Sequence, residues 1–325
     1  MLKAYNSVIN NMLSDCVMKK IFTEILQAYT SLLKVMVPAI IAVKILDMLG
    51  FTWYLGQLLA PVMQLIGLPE QMGLVWATAI LTNVYTAMVV FVDVSGSMQL
   101  TVAQVSVVGV LILLSHSIPI EGAVAKMVGV RWRITFALKI GGGLCMAAMV
   151  NWLYESLDYQ QQAATLLWSN AAQDLTLQQW AVEQLKLLVT IFFIISALMC
   201  LLALLRKIGV EKLMHLVLSP FLKLLNISKD ASSITIVGIT LGLSFGAGLL
   251  INEVKSGKIS KKDVFLSVCF LSIAHSLIED TLLVLLLGAD VVAILWLRIL
   301  FALVVVAFIS RVMLSTKGQK PAIMN

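Results

Sequence analysis

Two short stretches of this chain gather an imidazole, a hydroxyl and carboxylates inside otherwise apolar sequence: His116-Ser117-Ile118-Pro119-Ile120-Glu121 and His275-Ser276-Leu277-Ile278-Glu279-Asp280. Imidazole and carboxylate together can pass a proton or ligate a first-row metal ion. The chain has only three histidines, so two of them in such similar settings is a selective signal. A carboxylate at bilayer depth costs about 2.5 kcal/mol or more on insertion scales and normally faces a cavity or a partner. The candidate substrate- or ion-binding set is therefore Ser115, His116, Ser117 and Glu121 with His275, Ser276, Glu279 and Asp280. Asn83, within Thr82-Asn83-Val84-Tyr85-Thr86, adds a hydrogen-bonding group in the middle of an apolar segment. If the ligand is a metal, His116, His275, Glu121 and Glu279 are its candidate donors. The structural alternative is that each His–acid set pairs internally and fastens its own segment.

A second arrangement competes for attention. Asp93-x-Ser95-x-Ser97 follows an apolar run, the way a von Willebrand A-type domain opens its metal site. A soluble domain of that type continues with amphipathic helices and buried strands, whereas Ser106–Leu114 is another nearly uniform apolar run. Asp93–Met98 reads as a polar turn at a membrane surface.

The elements that position these groups follow from composition. Of 325 residues, 60% are hydrophobic and 12% charged, with a mean hydropathy of +0.99. Soluble domains carry about twice that charged fraction. The chain belongs in a bilayer, and its net charge of +6 bears on topology, not on nucleic acid. With about 20 apolar residues needed per crossing, the expected crossings are Ile25–Leu49, Gly73–Val94, Ile134–Tyr154, Leu185–Leu205, Ser233–Ile251 and Val291–Met313. Val102–Val128 and Val264–Gly288 are apolar but interrupted near their centres by the His–acid sets. Residues 1–20 lack a signal-peptide core and read as an amphipathic surface segment. The four cysteines are far apart and support neither a disulfide framework nor a metal site.

An internal repeat organises the chain. Pro61 and Pro220 are separated by 159 residues, as are His116 and His275. At the same offset Gly50 falls on Gly209, Ser97 on Ser256, Ser117 on Ser276 and Gly129 on Gly288. The repeats cover residues 21–154 and 181–313, joined by an acidic linker, 155–180, and followed by a cytoplasmic tail, 314–325. Asp93 and Ser95 fall on Asn252 and Val254, which argues further against a cation there. Tyr54–Ile66 and Leu213–Leu225, too short to span, read as helices lying along opposite membrane faces.

Charge distribution selects the topology. If Val102–Val128 and Val264–Gly288 enter and return as hairpins, most Lys and Arg lie on the cytoplasmic side and the linker lies outside, leaving Lys255, Lys258, Lys261 and Lys262 as exceptions. If both stretches cross fully, the exceptions double. The expected fold is thus an all-α polytopic membrane protein: two inverted repeats, each of three crossings plus a re-entrant helical hairpin, with both termini cytoplasmic. Pro119, which lacks an amide donor, is the expected breaker of the first hairpin. Gly238, Gly242, Gly246 and Gly248 read as a close-packing face, with Ser244 a weak site candidate, and Gly141–Gly143 as packing or a hinge. Trp53, Trp132, Trp152 and Trp296 read as interfacial anchors.

With these elements in place, the two copies of apolar helix, short Pro-containing helix, polar-centred segment and His-Ser–acid stretch resemble the bacterial nucleoside-recognition, or Gate, family. That family includes spore-maturation membrane proteins and the membrane part of ferrous-iron transporters. The resemblance implies a multi-pass bacterial inner-membrane protein with transporter-like gating repeats, its matching positions being Ser115–Gly122 and Ala274–Asp280. It does not carry a substrate across, since no GTPase segment and no nucleoside-binding pattern accompany it. The leading expectation is a secondary transporter for a small polar solute, nucleoside-like by resemblance, coupled to H⁺ or Na⁺ and free of cofactors. A divalent-cation permease is the second reading; a non-transporting scaffold working with a membrane partner or as a homo-oligomer is the third. No nucleophile–base set or nucleotide loop points to an enzyme.

Overall fold

Every regular element among the described residues is helical, apart from one isolated bridge between Thr101 and Ala163. The computed structural model describes residues 2–96, 98–165, 176–225, 227–241, 251, 254 and 259–315. The expectations attached to Ser97, Asp174, Gly242, Ser244, Gly246, Gly248, Asn252, Lys255, Ser256, Lys258 and residues 316–325 fall outside them. Among the described residues, five helical stretches are long and apolar enough to cross a membrane: Val102–Met127, Trp132–Ser156, Leu177–Leu205, Lys261–Leu285 and Val292–Met313. The chain is an all-α polytopic membrane protein in contact with the bilayer.

In chain order the helices are α1 (Leu2–Met48), α2 (Phe51–Leu65), α3 (Met72–Leu81), α4 (Val84–Ser95), α5 (Val102–Ser115), α6 (Ile118–Met127), α7 (Trp132–Phe136), α8 (Gly142–Ser156), α9 (Leu177–Lys207), α10 (Val210–Leu224), α11 (Lys229–Leu241), α12 (Lys261–Ala274), α13 (Glu279–Leu285) and α14 (Arg298–Ser315). Wider π-helical turns, Ala137–Gly141 and Val292–Leu297, lead into α8 and α14. Residues 2–20, expected as an amphipathic surface segment, form the first part of α1. At the 159-residue offset α2 falls on α10 and α5 on α12, residue for residue. Gly50 and Gly209 share a positive φ (70° and 82°), a backbone that glycine adopts without a Cβ penalty.

The chain divides into two compact units. The first comprises residues 1–38 and 174–209, where the Tyr29 hydroxyl donates to the Leu188 carbonyl (3.0 Å) and its ring meets Phe192 edge-on. In α9 a stripe of Leu187, Ile191, Ile195, Leu198 and Leu202 is buried, the spacing of one helical face. The second unit, residues 39–173 and 210–325, contains every candidate site residue.

Within the second unit, hydrogen bonds show which helix ends share a level. Gln104 donates to the Gly67 carbonyl (3.2 Å), Val102 N–H to that of Gln162 (3.0 Å), and Asp290 N–H to Ser106 Oγ (2.7 Å). Glu70, Glu155, Asp158 and Asp290 belong to this end. At the other, Ser228 N–H donates to Asp263 (3.3 Å), Ser310 Oγ to the Leu225 carbonyl (3.0 Å), and α12 lies against α7. That end carries Arg131, Arg133, Lys223, Lys229, Lys261, Lys262 and Arg311. Helix α5 therefore starts at the acidic end, α12 starts at the basic end, and both run inward.

A helical hairpin forms in a segment expected from the sequence as a single crossing. Helix α3 runs beside α5 in the same direction, with Gly67 level with Gln104 and the Ala79 carbonyl accepting from Ser117 N–H (3.0 Å). If α4 continued α3, Ser95 would end about 24 Å beyond that level, and α5 adds about 21 Å more. The six residues 96–101 reach only about 20 Å when fully extended. Helix α4 instead folds back along α3, so Met72–Ser95 forms a helical hairpin, and Val102–Met127, broken at His116–Ser117, is long and apolar enough to cross a membrane. The expected crossing Gly73–Val94 is thus two short helices, and the expected hairpin Val102–Val128 coincides with a stretch long and apolar enough to span. Both α3 and α4 are too short to span. Lys261 and Lys262, exceptions in the sequence-based topology, lie at the basic end.

Pro119 does not make the break. It stands in the first turn of α6, where its missing amide costs nothing. The chain breaks at His116, which is extended (ψ 159°), and Ser117, which is left-handed (φ 55°). His275 (ψ 167°) and Ser276 (φ 47°) repeat that geometry with no proline nearby.

Candidate functional site

A helix that ends inside an apolar unit leaves its last carbonyls without partners and concentrates partial negative charge there. This happens twice, at the carboxy ends of α5 and α12, and in each case a buried cation answers it. Lys139, fully buried, donates to the Leu114 carbonyl (3.3 Å). Arg298, also fully buried, donates through Nε to the Ile273 carbonyl (2.8 Å) and through Nη2 to that of His275 (3.0 Å). Leu114 and Ile273 are 159 residues apart, as are Lys139 and Arg298. Both cations lie at the π-helical turns, which widen the helix next to the break. The Ser115 hydroxyl donates to the Lys139 carbonyl (2.9 Å), and Gly143, where a Cβ would crowd Ser115 Oγ at 2.7 Å, lets α8 approach so closely.

Left-handed backbone costs a non-glycine residue about 1–2 kcal/mol and persists where surroundings over-determine it. Ser117 is tied to the tip of the α3–α4 hairpin: its N–H donates to the Ala79 carbonyl (3.0 Å) and its Oγ to that of Thr82 (2.7 Å). Ser276 N–H meets the Gly238 carbonyl at 3.5 Å, the equivalent residue. The Asn83 side chain caps α4, accepting from Thr86 N–H (2.9 Å) and Thr86 Oγ1 (3.2 Å), so its oxygen shapes the hairpin tip.

The two breaks meet. His116 Nε2 and His275 Nε2 are 3.0 Å apart, and both residues are buried. Each Nδ1 lies 2.9 Å from the carbonyl four residues earlier, Ile112 and Leu271. A carbonyl only accepts, so both Nδ1 atoms carry hydrogen, and in neutral rings both Nε2 atoms present lone pairs. Two lone pairs facing at 3.0 Å repel unless a cation lies between or beside them. Both helix carboxy ends also point here, and both favour positive charge.

Carboxylates flank the pair unequally. Glu121, in the first turn of α6, places Oε1 3.2 Å from His275 Nε2 and 3.6 Å from His116 Nε2, while Oε2 pairs with Lys139 Nζ at 2.8 Å. Asp280 Oδ2 lies 3.8 Å from both Nε2 atoms and has no hydrogen-bond donor among the described residues. Glu279, expected as a metal donor, is drawn aside: Tyr85 donates to its Oε1 at 2.9 Å. Asp280 faces the histidines in its place. Lys139, Arg298 and Tyr85 are the residues that sequence reasoning missed. The two cations sit in apolar crossings at the repeat offset, a signal present in the sequence, whereas Tyr85 meets Glu279 across 194 positions with no local signal.

No family model matches the chain, and no solved structure matches it. The chain is 29% identical over 312 residues to the uncharacterized membrane protein YvoD of Bacillus subtilis (strain 168), an alignment covering 94% of this chain and 98% of that one.

Proposed function

We propose that this chain is an ion-coupled secondary transporter for a small polar solute, with the His116–His275 pair holding the coupling cation. The observation that carries the reading is the 3.0 Å approach of two Nε2 atoms whose Nδ1 partners are already committed to carbonyls. Broken helices at membrane depth are tolerated where they line a cavity or meet protein, and carboxy ends of half-helices suit coupling cations. Two imidazoles favour H⁺ or a first-row metal over Na⁺, a hard ion that prefers oxygen. The resemblance to Gate proteins adds gating repeats and a nucleoside-like solute to this proposal, and no catalytic role.

The proposed architecture is two inverted repeats, each with three crossings and one hairpin, in a bacterial inner membrane with both termini cytoplasmic. Opposite entry of α5 and α12 supports inversion, and the basic end supports the orientation. Single cysteines at Gln99 and Asp158 in a cysteine-free background should react with an impermeant reagent from outside intact cells, and cysteines at Gly129 and Lys261 should not. Protection of Gln99 together with labelling of Asp158 would contradict the α3–α4 hairpin.

Flux in proteoliposomes tests the function. Under an imposed gradient of H⁺ or of a first-row metal ion, one solute of a panel of nucleosides and other small polar molecules should accumulate, and collapsing that gradient should abolish accumulation. Gradient-independent metal flux would replace the proposal by a cation permease; no flux together with a stable co-purifying membrane protein would replace it by a scaffold.

A further inference from the structure

We propose that His116, His275 and Asp280 form a binding site for one divalent first-row transition-metal ion of the zinc type. The inference rests on the reading that the histidine pair holds a cation, and it names that cation. His116 Nε2, His275 Nε2 and Asp280 Oδ2 form a triangle with sides of 3.0, 3.8 and 3.8 Å. The point equidistant from its corners lies about 2.1 Å from each, which is the length of a zinc–imidazole or zinc–carboxylate bond. A shared proton would explain the short nitrogen–nitrogen distance alone. It does not explain why a buried carboxylate oxygen without a hydrogen-bond donor stands equally far from both nitrogens.

The surrounding groups fit metal binding. Each ligating imidazole donates its other ring nitrogen to a backbone carbonyl, Ile112 or Leu271, which fixes tautomer and ring orientation as outer partners of metal-bound histidines do. Lys139 neutralises Glu121, leaving Asp280 as the anionic donor. The cationic Lys139 and Arg298 moderate affinity for a dication, which suits an ion that has to leave again.

Purified full-length protein, stripped with chelator in detergent, should bind one Zn²⁺ per chain by calorimetry. Co²⁺ should give visible absorption bands that Zn²⁺ abolishes. His275→Gln and Asp280→Asn should each weaken Zn²⁺ binding by at least about tenfold, while His215→Gln, at a half-buried residue of α10, leaves it unchanged. Size-exclusion profiles establish that each variant is folded. Absence of Zn²⁺ and Co²⁺ binding to folded wild-type protein, or binding that both site variants retain, overturns the proposal. Those results leave H⁺-driven solute flux standing, whereas Zn²⁺ binding without any flux removes the transporter reading and keeps the site.

Discussion

Lys139→Met should destabilise the protein by about 3–5 kcal/mol, the cost of leaving a buried charge without its partner. Lys139 is fully buried, pairs with Glu121 at 2.8 Å and supplies a donor to the Leu114 carbonyl at the broken end of α5. Its removal therefore strands an anion and a carbonyl together. The expected measurement is a large drop in melting temperature of the detergent-solubilised protein, followed by fluorescence-detected size exclusion. Glu121→Gln in the same chain removes the stranded anion and should recover a substantial part of the loss, a coupling that only neighbouring residues display. Equal melting temperatures for the wild type and Lys139→Met would mean that the pair contributes nothing to the fold. A single variant as damaging as the double would mean that Lys139 acts through packing alone.

His275→Ala should lower ion-coupled flux by roughly 10- to 150-fold, corresponding to loss of a charge-assisted contact worth about 1.5–3 kcal/mol. The direction follows from the facing geometry, since neither histidine can hold a cation between them alone. Because the two act as one unit, His116→Ala combined with His275→Ala should be no worse than the more damaging single variant. His215→Ala, in α10 and away from the break, serves as control and should stay within about twofold, the usual range for substitutions clear of such features. Independent, multiplicative losses at His116 and His275 would show that the two residues do not share an ion. Flux retained in both single variants would remove the pair from the mechanism.

The sequence by itself determined the solvent, the helical class and the chemistry-bearing residues. Sixty per cent apolar composition leaves no soluble alternative, and the His-Ser–acid stretches stand out because ionisable groups are costly in apolar segments. Its 159-residue offset anticipates equivalent helix boundaries, the two left-handed serines and the matched cations at positions 139 and 298.

Tertiary structure decided what hydropathy cannot. Gly73–Val94 and Val102–Val128 are both apolar and both polar near the centre, so composition alone does not say which one turns back. The decision lies in chain reach: six residues between α4 and α5 cannot return the chain unless α4 already has. The choice of Asp280 over Glu279 likewise turns on α13, which aims adjacent residues about 100° apart and sends one to the histidines and the other to Tyr85. The meeting of His116 with His275 also belongs to the tertiary structure, because two helix ends converge there from opposite ends of the unit.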